Sequence, residues 1–331
     1  MSEYDSSLSF YLKADTGLMS VGMVDDIVLK DDRRNRELPI KIYYPQEPGS
    51  FPAIVFSHGT GGSKESFAHL GNFWASHGYI CIHPTHVGSD FSVLKRIGLQ
   101  AILELINDPE VWSERPQDIS FLIDSLPVLE ERVPQIAGKI DRSFIGVAGH
   151  SYGAYTTMLL AGATVAMPGD DKASFPDERI SAFLAISPPG TDRQGLTRNS
   201  WETIHAPVMT VSGSKDQGLE GKPPSWRREA FNYMPLGDKY HVLIEGANHF
   251  SFDPDAGIAR TAFPRLAIGN NIGRGRHNVQ LESTRLIKSY LQNASIAFWD
   301  AYLKFQTTAK AYLISDALPR SSQGDVSIFL K

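Results

Sequence analysis

One short turn, at residues 149–153, constrains the fold of this chain more than any other feature of its sequence. The apolar stretch Phe144 to Ala148 runs directly into Gly149-His150-Ser151-Tyr152-Gly153, and the helix-compatible stretch Ala154 to Gly162 follows at once. A serine on such a sharp strand-to-helix turn has a strained backbone and a projecting hydroxyl, and the crowding around it requires glycine on both sides. The pattern predicts a nucleophile at Ser151, whereas a bare glycine-flanked surface turn is the alternative.

Short apolar runs alternate with amphipathic stretches along the rest of the chain, which is typical of a mostly parallel sheet with crossover helices. Two further stretches, Asp26 to Lys30 and Leu38 to Tyr44, flank a charged turn and predict an antiparallel hairpin that leads into the sheet. About eight strands result, with helices on both faces of the sheet. The other predicted strands are Ala53 to Phe56, Tyr79 to Ile82, Phe144 to Ala148, Ala182 to Ile186, Val208 to Val211 and Val242 to Ile244.

Length and composition describe an ordinary globular protein. The chain has 331 residues, 42% of them hydrophobic, and a formal net charge of -5, so it has no basic patch of the kind that binds nucleic acid. A single cysteine excludes an intrachain disulfide framework. No linker separates domains, and we expect one domain over residues 1–331 with insertions at 86–115 and 252–279. Because neither a secretory signal nor a membrane-spanning stretch is seen, we expect a cytoplasmic protein, although removal of a native leader would give the same pattern.

A serine nucleophile needs a base, and the base needs an acid to orient it. The strand Val208 to Val211 ends in a loop that contains Asp216, which we predict to be the acid. Asp216 could instead cap a helix or stabilise a turn, and Glu245 is a competing carboxylate one strand away. The strand Val242 to Ile244 leads into a loop that contains His249, which we predict to be the base.

Three other histidines compete with His249 for the role of base. His205 precedes its strand and so belongs at the opposite edge of the sheet, and His241 lies at the start of another strand, whereas His277 lies further along the chain. The order Ser151, Asp216, His249, with each residue on a loop after a successive parallel strand, favours His249.

The tetrahedral oxyanion of acyl transfer needs donors as well. The loop His58-Gly59-Thr60-Gly61-Gly62 follows the third strand, and its glycines let main-chain amides turn inward. We predict that the main-chain N–H groups of Thr60 and Tyr152 donate to the oxyanion. The competing interpretation of this loop, a phosphate cradle, lacks both the Gly-Lys-Ser/Thr ending and the G-x-G-x-x-G spacing.

These motifs resemble those of α/β-hydrolases over nearly the whole chain. More narrowly, the chain is similar to the bacterial proteins called predicted dienelactone hydrolases, and that branch resembles platelet-activating-factor acetylhydrolases, cutinase-like polyester hydrolases and chlorophyllases. The segments that carry this resemblance are residues 52–62 and 149–153, His86-Val87-Gly88-Ser89 and Arg115-Pro116-Gln117-Asp118. True dienelactone hydrolases use a cysteine nucleophile, whereas Ser151 holds that position here and Cys81 lies inside an apolar strand.

The resemblance implies a serine carboxylic-ester hydrolase that acts through an acyl-enzyme on a small to medium apolar ester, with no cofactor and no metal. His83 and His86 form an H-x-x-H pair, but the sequence offers no third ligand. One alternative is chlorophyllase-like cleavage of a bulky tetrapyrrole ester. An alternative of another class is a non-catalytic ligand-binding module, although such modules typically lose a member of the triad.

Selectivity in such a fold comes from the loops above the carboxyl edge of the sheet. We expect Trp112 and Trp226 to form the wall of the substrate pocket, and His86 and Ser89 either to line it or to be ordinary polar loop residues. Arg115 and Asp118 are expected to form a structural pair near a helix start. The sequence does not predict the physiological ester or the oligomeric state.

Overall fold

A mixed sheet forms the centre of the fold. The structure is a computed structural model that describes residues 17–253 and 277–331. Its strands are β1 (Val21–Asp31), β2 (Arg36–Pro45), β3 (Phe51–Ser57), β4 (Ile80–Pro84), β5 (Ile140–His150), β6 (Thr164–Met167), β7 (Asp170–Ser174), β8 (Ile180–Ile186), β9 (Val208–Gly213), β10 (Lys239–Ile244) and β11 (Val326–Leu330).

Nine of the strands in the described residues join one sheet, in the order β1-β2-β4-β3-β5-β8-β9-β10-β11. The six neighbours from β4 to β10 are parallel, whereas β1, β2 and β11 pair antiparallel at the two sides. The predicted hairpin and mostly parallel sheet are therefore confirmed. The sequence missed β11, and it also missed the small hairpin of β6 and β7, which pair with each other outside the main sheet.

Helices connect these strands. Outside single turns of 3₁₀ helix, the described residues form α1 (Ala68–Ser76), α2 (Phe91–Leu105), α3 (Glu114–Asp124), α4 (Leu126–Arg132), α5 (Tyr152–Leu160), α6 (Glu229–Tyr233), α7 (His277–Leu303), α8 (Thr307–Ile314) and α9 (Ala317–Ser321). In α2 the backbone leaves the helical conformation at Gly98, so this element consists of two short helical segments, one on each side of Gly98.

The core lies on both faces of the sheet, as strands without a solvent-facing side require. In β3 alternate side chains enter two different apolar clusters: Val55 packs with residues of α3 to α5, and Ile54 packs with residues of α1 and α7. On the second face, Leu291 and Phe298 from the long apolar stripe of α7 are fully buried. Because helices cover both faces, the functional groups at the ends of the parallel strands can emerge only at the edges of the sheet.

The two predicted insertions differ in what the structure describes. Segment 86–115 contains α2 and the first two residues of α3, both beyond the carboxyl end of β4. Most of segment 252–279 lies outside the described residues. None of the helices in the described ranges is both long and apolar enough to cross a membrane.

Candidate active site

Three side chains from three strand ends meet at the carboxyl edge of the parallel sheet. Ser151 directly follows β5, Asp216 lies in the loop after β9, and His249 lies in the loop after β10. The Nε2 atom of His249 is 3.0 Å from the Ser151 hydroxyl, and its Nδ1 atom is 3.0 Å from Oδ1 of Asp216. The structure thus places Ser151, His249 and Asp216 in contact with one another, as expected for residues that follow parallel strands of one sheet.

The backbone at Ser151 is strained, and its surroundings explain both flanking glycines. Ser151 has φ 57° and ψ -114°, a conformation that costs a residue with a side chain about 1–3 kcal/mol. A Cβ atom at Gly149 would lie 2.2 Å from the carbonyl oxygen of Gly153, and one at Gly153 would lie 1.9 Å from that of Ser57. These are backbone contacts that cannot move aside, so the turn excludes every larger residue at both positions.

The acid and the base are buried in a dense set of polar contacts. Asp216 is 0% exposed and His249 is 2% exposed. The Ser187 hydroxyl donates to Oδ2 of Asp216 at 2.5 Å, and Nε of Arg227 donates to Oδ1 at 3.1 Å. Burial alone would raise the pKa of the Asp216 carboxyl, but the Arg227 charge and the bonds from His249 and Ser187 hold this pKa well below its usual range. Asp216 is therefore an ionised acceptor.

The competing acid and bases lie elsewhere. Glu245 accepts a hydrogen bond from the Ser214 hydroxyl at 2.8 Å rather than from His249. His241 is buried inside β10, where its Nδ1 atom lies 2.8 Å from the Thr210 hydroxyl. His205 precedes β9, at the opposite edge of the sheet, and the side chain of His277 lies outside the described part of the chain.

The two residues whose main-chain amides were predicted to bind the oxyanion, Thr60 and Tyr152, line the same cavity as Ser151. Within the described residues, the N–H groups of Thr60 and Tyr152 have no hydrogen-bond acceptor, although both residues line the cavity beside Ser151. Tyr152 begins α5, so its amide also lies at the positive end of the helix dipole. The loop that carries Thr60 is fixed next to it, because the Gly61 amide donates to the carbonyl oxygen of Ser89 at 2.8 Å.

Arg115 forms hydrogen bonds that hold the loop containing Thr60 in place. It is buried, its Nε atom donates to the Ser89 hydroxyl at 3.0 Å, and its Nη1 atom donates to the carbonyl oxygen of His58. The guanidinium also lies 4.3 Å above the Tyr152 ring. Arg115 thus contacts both segments that carry the two free amides. Burial lowers the pKa of Arg115 to about 10, which still leaves it charged near neutral pH.

A cavity of about 350 Å³ opens above Ser151. Phe91, Leu103 and Ile106 from α2 and the loop after it form one apolar side, and Trp226 lies in the wall contributed by the segment after Asp216. Two ion pairs join the loops at its rim: Arg193 with Glu220 at 3.1 Å, and Lys222 with Asp192 at 3.3 Å. The cavity therefore combines apolar walls with a charged mouth.

The expectation that Trp112 lines the pocket needs correction, and of the two alternatives left open for His86 and Ser89, the structure does not support a place in the pocket wall. Trp112 is buried in the core, where its Nε1 atom donates to the carbonyl oxygen of Ile106 at 3.1 Å. His86 is fully buried, with Nε2 2.9 Å from the Ser57 hydroxyl. Ser89 is turned toward Arg115. None of the three is among the residues that line the cavity, because each is engaged by a partner beneath the loop.

Arg115 and Asp118 do not form the expected pair. Asp118 instead accepts hydrogen bonds from Arg36 at 3.0 and 2.9 Å, and Nδ1 of His86 lies 3.0 Å from its Oδ2 atom. Burial would raise the pKa of Asp118, but the bonds from His86 and Arg36 lower it to about 2. Asp118 thus connects the β1–β2 hairpin to the loop after β4 through its hydrogen bonds. Arg115 instead binds the loop after β3.

In the part of the chain that the structure describes, no group of three or more His, Cys, Asp or Glu side chains is placed so that it could hold a metal ion. His83 packs its ring on Phe56, with 5.1 Å between centroids, and its Nδ1 atom lies 3.1 Å from the carbonyl oxygen of Ser66. Cys81 is fully buried in β4, and burial raises the pKa of its thiol well above the usual value.

Sequence reasoning missed two residues that touch the acid. Ser187 follows β8 at the same edge of the sheet, and its position directly after a buried strand could have identified it. Arg227 lies in a 3₁₀ turn eleven residues beyond Asp216, and no motif surrounds it. Its contacts depend on how the loop folds back, which neither periodicity nor spacing describes.

Comparisons with known proteins find similar cutinases and a similar acetylhydrolase. Cutinase est2 of Thermobifida alba is 26% identical over 215 residues, which are 63% of this chain and 56% of that protein. Cutinase 2 of Thermobifida cellulosilytica is 26% identical over 211 residues, 63% of this chain and 64% of that protein. The platelet-activating factor acetylhydrolase of Cavia porcellus is 21% identical over 304 residues, 81% of this chain and 61% of that protein.

The chain thus spans about three-fifths of the length of these curated relatives. The family model for chlorophyllase matches residues 15–197, from just before β1 to the loop after β8. This match contains the Ser151 turn and the loop of Thr60, and it covers more than half of the chain. The chain therefore belongs to the chlorophyllase family, within the α/β-hydrolase superfamily of esterases.

Proposed function

We propose that this protein is a serine carboxylic-ester hydrolase that acts through an acyl-enzyme. Ser151 is the nucleophile, His249 is the general base and acid, and Asp216 orients the imidazole. The observation that carries the proposal is the unbroken line of contacts at the strained turn: 3.0 Å from Ser151 Oγ to His249 Nε2, and 3.0 Å from His249 Nδ1 to Asp216 Oδ1.

The chemistry follows from the proton positions that these contacts favour. Because Asp216 is ionised and can only accept, Nδ1 of His249 carries the proton and Nε2 presents a lone pair to the Ser151 hydroxyl. Ser151 Oγ attacks the ester carbonyl as Nε2 takes its proton, and His249 then gives that proton to the departing alkoxide. A water molecule then attacks the acyl-enzyme carbonyl as His249 takes its proton, the bond from that carbon to Ser151 Oγ breaks, and His249 returns the proton to Oγ as the carboxylic acid leaves.

The negative oxygen of the tetrahedral intermediate is stabilised by the amides of Thr60 and Tyr152. Both belong to residues beside Ser151 in the cavity wall, and both lack another acceptor within the described residues. Such fixed donors are effective because they need no reorganisation when charge develops. Arg115, which contacts both segments, keeps the two donors in place.

The substrate is a small to medium ester with an apolar acyl or alkoxy group. A volume of about 350 Å³ lies at the low end of the range of ligand pockets, roughly 300–1,000 Å³. Phe91, Leu103, Ile106 and Trp226 supply the apolar walls. The names of the relatives, cutinases and a platelet-activating factor acetylhydrolase, are in keeping with ester substrates.

A tetrapyrrole ester is the second candidate, favoured by the match to the chlorophyllase family model. The cavity volume argues against full enclosure of a macrocycle, so such a substrate would leave its ring system outside the rim. Turnover of chlorophyll compared with turnover of p-nitrophenyl butyrate by the same preparation distinguishes the two. A higher kcat/KM for chlorophyll would replace the small-ester assignment.

Hydrolysis of p-nitrophenyl acetate and butyrate by single variants tests the mechanism. We expect Ser151→Ala and His249→Ala each to lower kcat by about four orders of magnitude or more, because the triad acts as a unit. Ser143→Ala and His205→Ala are matched controls, since both side chains are exposed and distant from the cavity. Near-normal activity of His249→Ala, with its fold intact, would contradict the assignment of the base.

A further inference from the structure

Arg227 is a buried cation that joins two loops around the proposed acid. Its side chain is 5% exposed, and its Nε atom donates to Oδ1 of Asp216 at 3.1 Å. Its Nη1 atom donates to the carbonyl oxygens of Ser187 at 3.1 Å and Pro188 at 3.4 Å, and its Nη2 atom donates to that of Gln217 at 3.1 Å. These hydrogen bonds hold the guanidinium in one orientation. If it turned away, buried carbonyl oxygens would lose their donors.

The same guanidinium touches the proposed base. Nη2 of Arg227 lies 3.2 Å from Nδ1 of His249, the ring atom that also faces Asp216. Nδ1 bears either a proton or a lone pair, so it cannot both donate to Asp216 and accept from Arg227. Because Asp216 can only accept, Nδ1 is protonated, and the Arg227 contact is then one between a cation and an N–H group. Such a contact opposes a second proton on the ring.

We propose that Arg227 is a positioning residue of the triad, which holds Asp216 in line with His249 and, by its charge, keeps His249 available as a base at lower pH. This inference rests on the proposed ester hydrolysis only for its kinetic readout. Arg227 also lines the cavity, but its polar contacts with described residues are to Asp216, His249 and the carbonyl oxygens of two loops, and none is to Ser151. Its action on the reaction passes through Asp216 and His249.

Ionisable groups reach His249 from three directions. Asp216 from the loop after β9 favours the charged imidazole, and Arg227 from the 3₁₀ turn opposes it. His150, at the end of β5, lies with its ring centroid 4.6 Å away and donates through Nε2 to the carbonyl oxygen of His249 at 3.0 Å. Burial above all, together with the neighbouring charges, lowers the pKa of His150 well below its usual value, so it is neutral. Burial first, and then Arg227, lowers the pKa of His249.

The test compares the acid limb of kcat/KM against pH in the wild-type protein, Arg227→Gln, Arg227→Met and Arg227→Lys. Arg227→Gln and Arg227→Met remove the charge, and we expect the midpoint to move up by about one unit or more, because one adjacent charge shifts a pKa by about 1–3 units. Arg227→Lys keeps the charge but loses the forked contacts. We expect its midpoint to stay nearer that of the wild type, while its kcat above the midpoint falls by about 10- to 100-fold.

Arg228→Met is the matched control. This neighbouring arginine lies over the Phe329 ring at 3.6 Å and contacts no residue of the triad. We expect its acid limb to coincide with that of the wild type. Thermal melting of each variant identifies those that are folded, and folded Arg227→Gln or Arg227→Met with an unmoved midpoint would overturn the inference. A midpoint that moves equally in Arg228→Met would overturn it as well.

Titration of the His249 ring by NMR provides a readout that needs no substrate. In the wild-type protein we expect a midpoint below 6.5, and a midpoint at or above this value overturns the inference even if every Arg227 variant is unfolded. If no ester is hydrolysed but the ring titrates low and shifts upward in Arg227→Gln, the proposed function fails and the role of Arg227 stands. If esters are hydrolysed through Ser151 but the midpoint does not move in Arg227→Gln, the proposed function stands and the role of Arg227 fails.

Discussion

At the scale of single residues, the protonation of His249 controls the proposed reaction. Only the neutral imidazole accepts the proton of Ser151. Burial and the Arg227 charge lower the pKa of His249, while Asp216 acts in the opposite direction. The neutral form therefore persists to lower pH than it does for a free histidine.

This balance predicts the pH dependence of the wild-type enzyme. As pH rises through the lowered pKa, His249 loses its proton, so kcat/KM for an uncharged ester rises with a midpoint below 6.5 and then levels off. Initial rates with p-nitrophenyl butyrate between pH 4 and pH 9, corrected for spontaneous hydrolysis, measure the midpoint. A flat profile, or a midpoint above 6.5, would be inconsistent with His249 as the base.

That Ser151, Asp216 and His249 lie together could be predicted from the sequence. Ser151, Asp216 and His249 each follow a parallel strand, and parallel strands present their carboxyl ends at one edge, so three separate positions in the chain converge. Arg227 and Arg115 could not be predicted in this way. Each is a buried arginine whose partners include main-chain oxygens, and a sequence pattern does not specify where such oxygens point.

At the scale of elements, the loops above the sheet edge shape the cavity. The insertion after β4 contributes apolar side chains through α2, and the segment after Asp216 contributes Trp226, whose Nε1 atom donates to the carbonyl oxygen of Thr191 at 2.9 Å. This bond fixes the indole against the loop after β8. Trp112 belongs to the same insertion as α2, yet it points into the core.

We therefore expect alanine substitutions of the two tryptophans to have different effects. With the wild type we expect kcat/KM to rise from acetate to butyrate esters by about fourfold per methylene, since each buried methylene contributes about 0.8 kcal/mol. Trp226→Ala removes part of the cavity wall and flattens this rise without abolishing acetate turnover. Trp112→Ala leaves the profile unchanged but lowers the free energy of unfolding by about 3–5 kcal/mol. Chain-length kinetics and urea unfolding of both variants check this contrast, and an unaltered profile in Trp226→Ala would refute it.

Elements with strong apolar patterns were predicted well, and polar or late elements were not. The strands from β3 to β10 in the main sheet contain nearly continuous apolar runs, which are typical of a sheet buried on both faces. β7 reads Asp-Asp-Lys-Ala-Ser and is mostly exposed, so hydrophobic periodicity does not reveal it. β11 follows three helices and pairs antiparallel with β10, a connection that the alternation of strands and helices does not predict.

At the scale of the whole molecule, one sheet separates two apolar clusters. Trp112 and Trp201 lie in the cluster with α3 to α5, and Trp74 and Trp299 lie in the cluster on the opposite face. Alternate residues of the same strands belong to both clusters. If one cluster lost its packing while the strands stayed ordered, each shared strand would expose one apolar face to water. We therefore expect the two clusters to lose their packing together.

We therefore expect a single cooperative unfolding transition, consistent with one domain. Tryptophan fluorescence reports on both clusters, and far-UV circular dichroism reports on the helices and strands. The two signals should follow the same curve in urea, with one midpoint. Two separate transitions would indicate that the clusters unfold independently, and would contradict the assignment of the chain to one domain.

The central claim, that Ser151 is an activated nucleophile, is tested most directly by mass spectrometry after treatment with a fluorophosphonate. This reagent phosphonylates a serine hydroxyl that an adjacent base activates. We predict one adduct per chain, located on the peptide that contains Ser151, and a much slower reaction in His249→Ala at equal pH. A folded wild-type protein without an adduct on Ser151, or with the adduct on a different serine, would contradict the account.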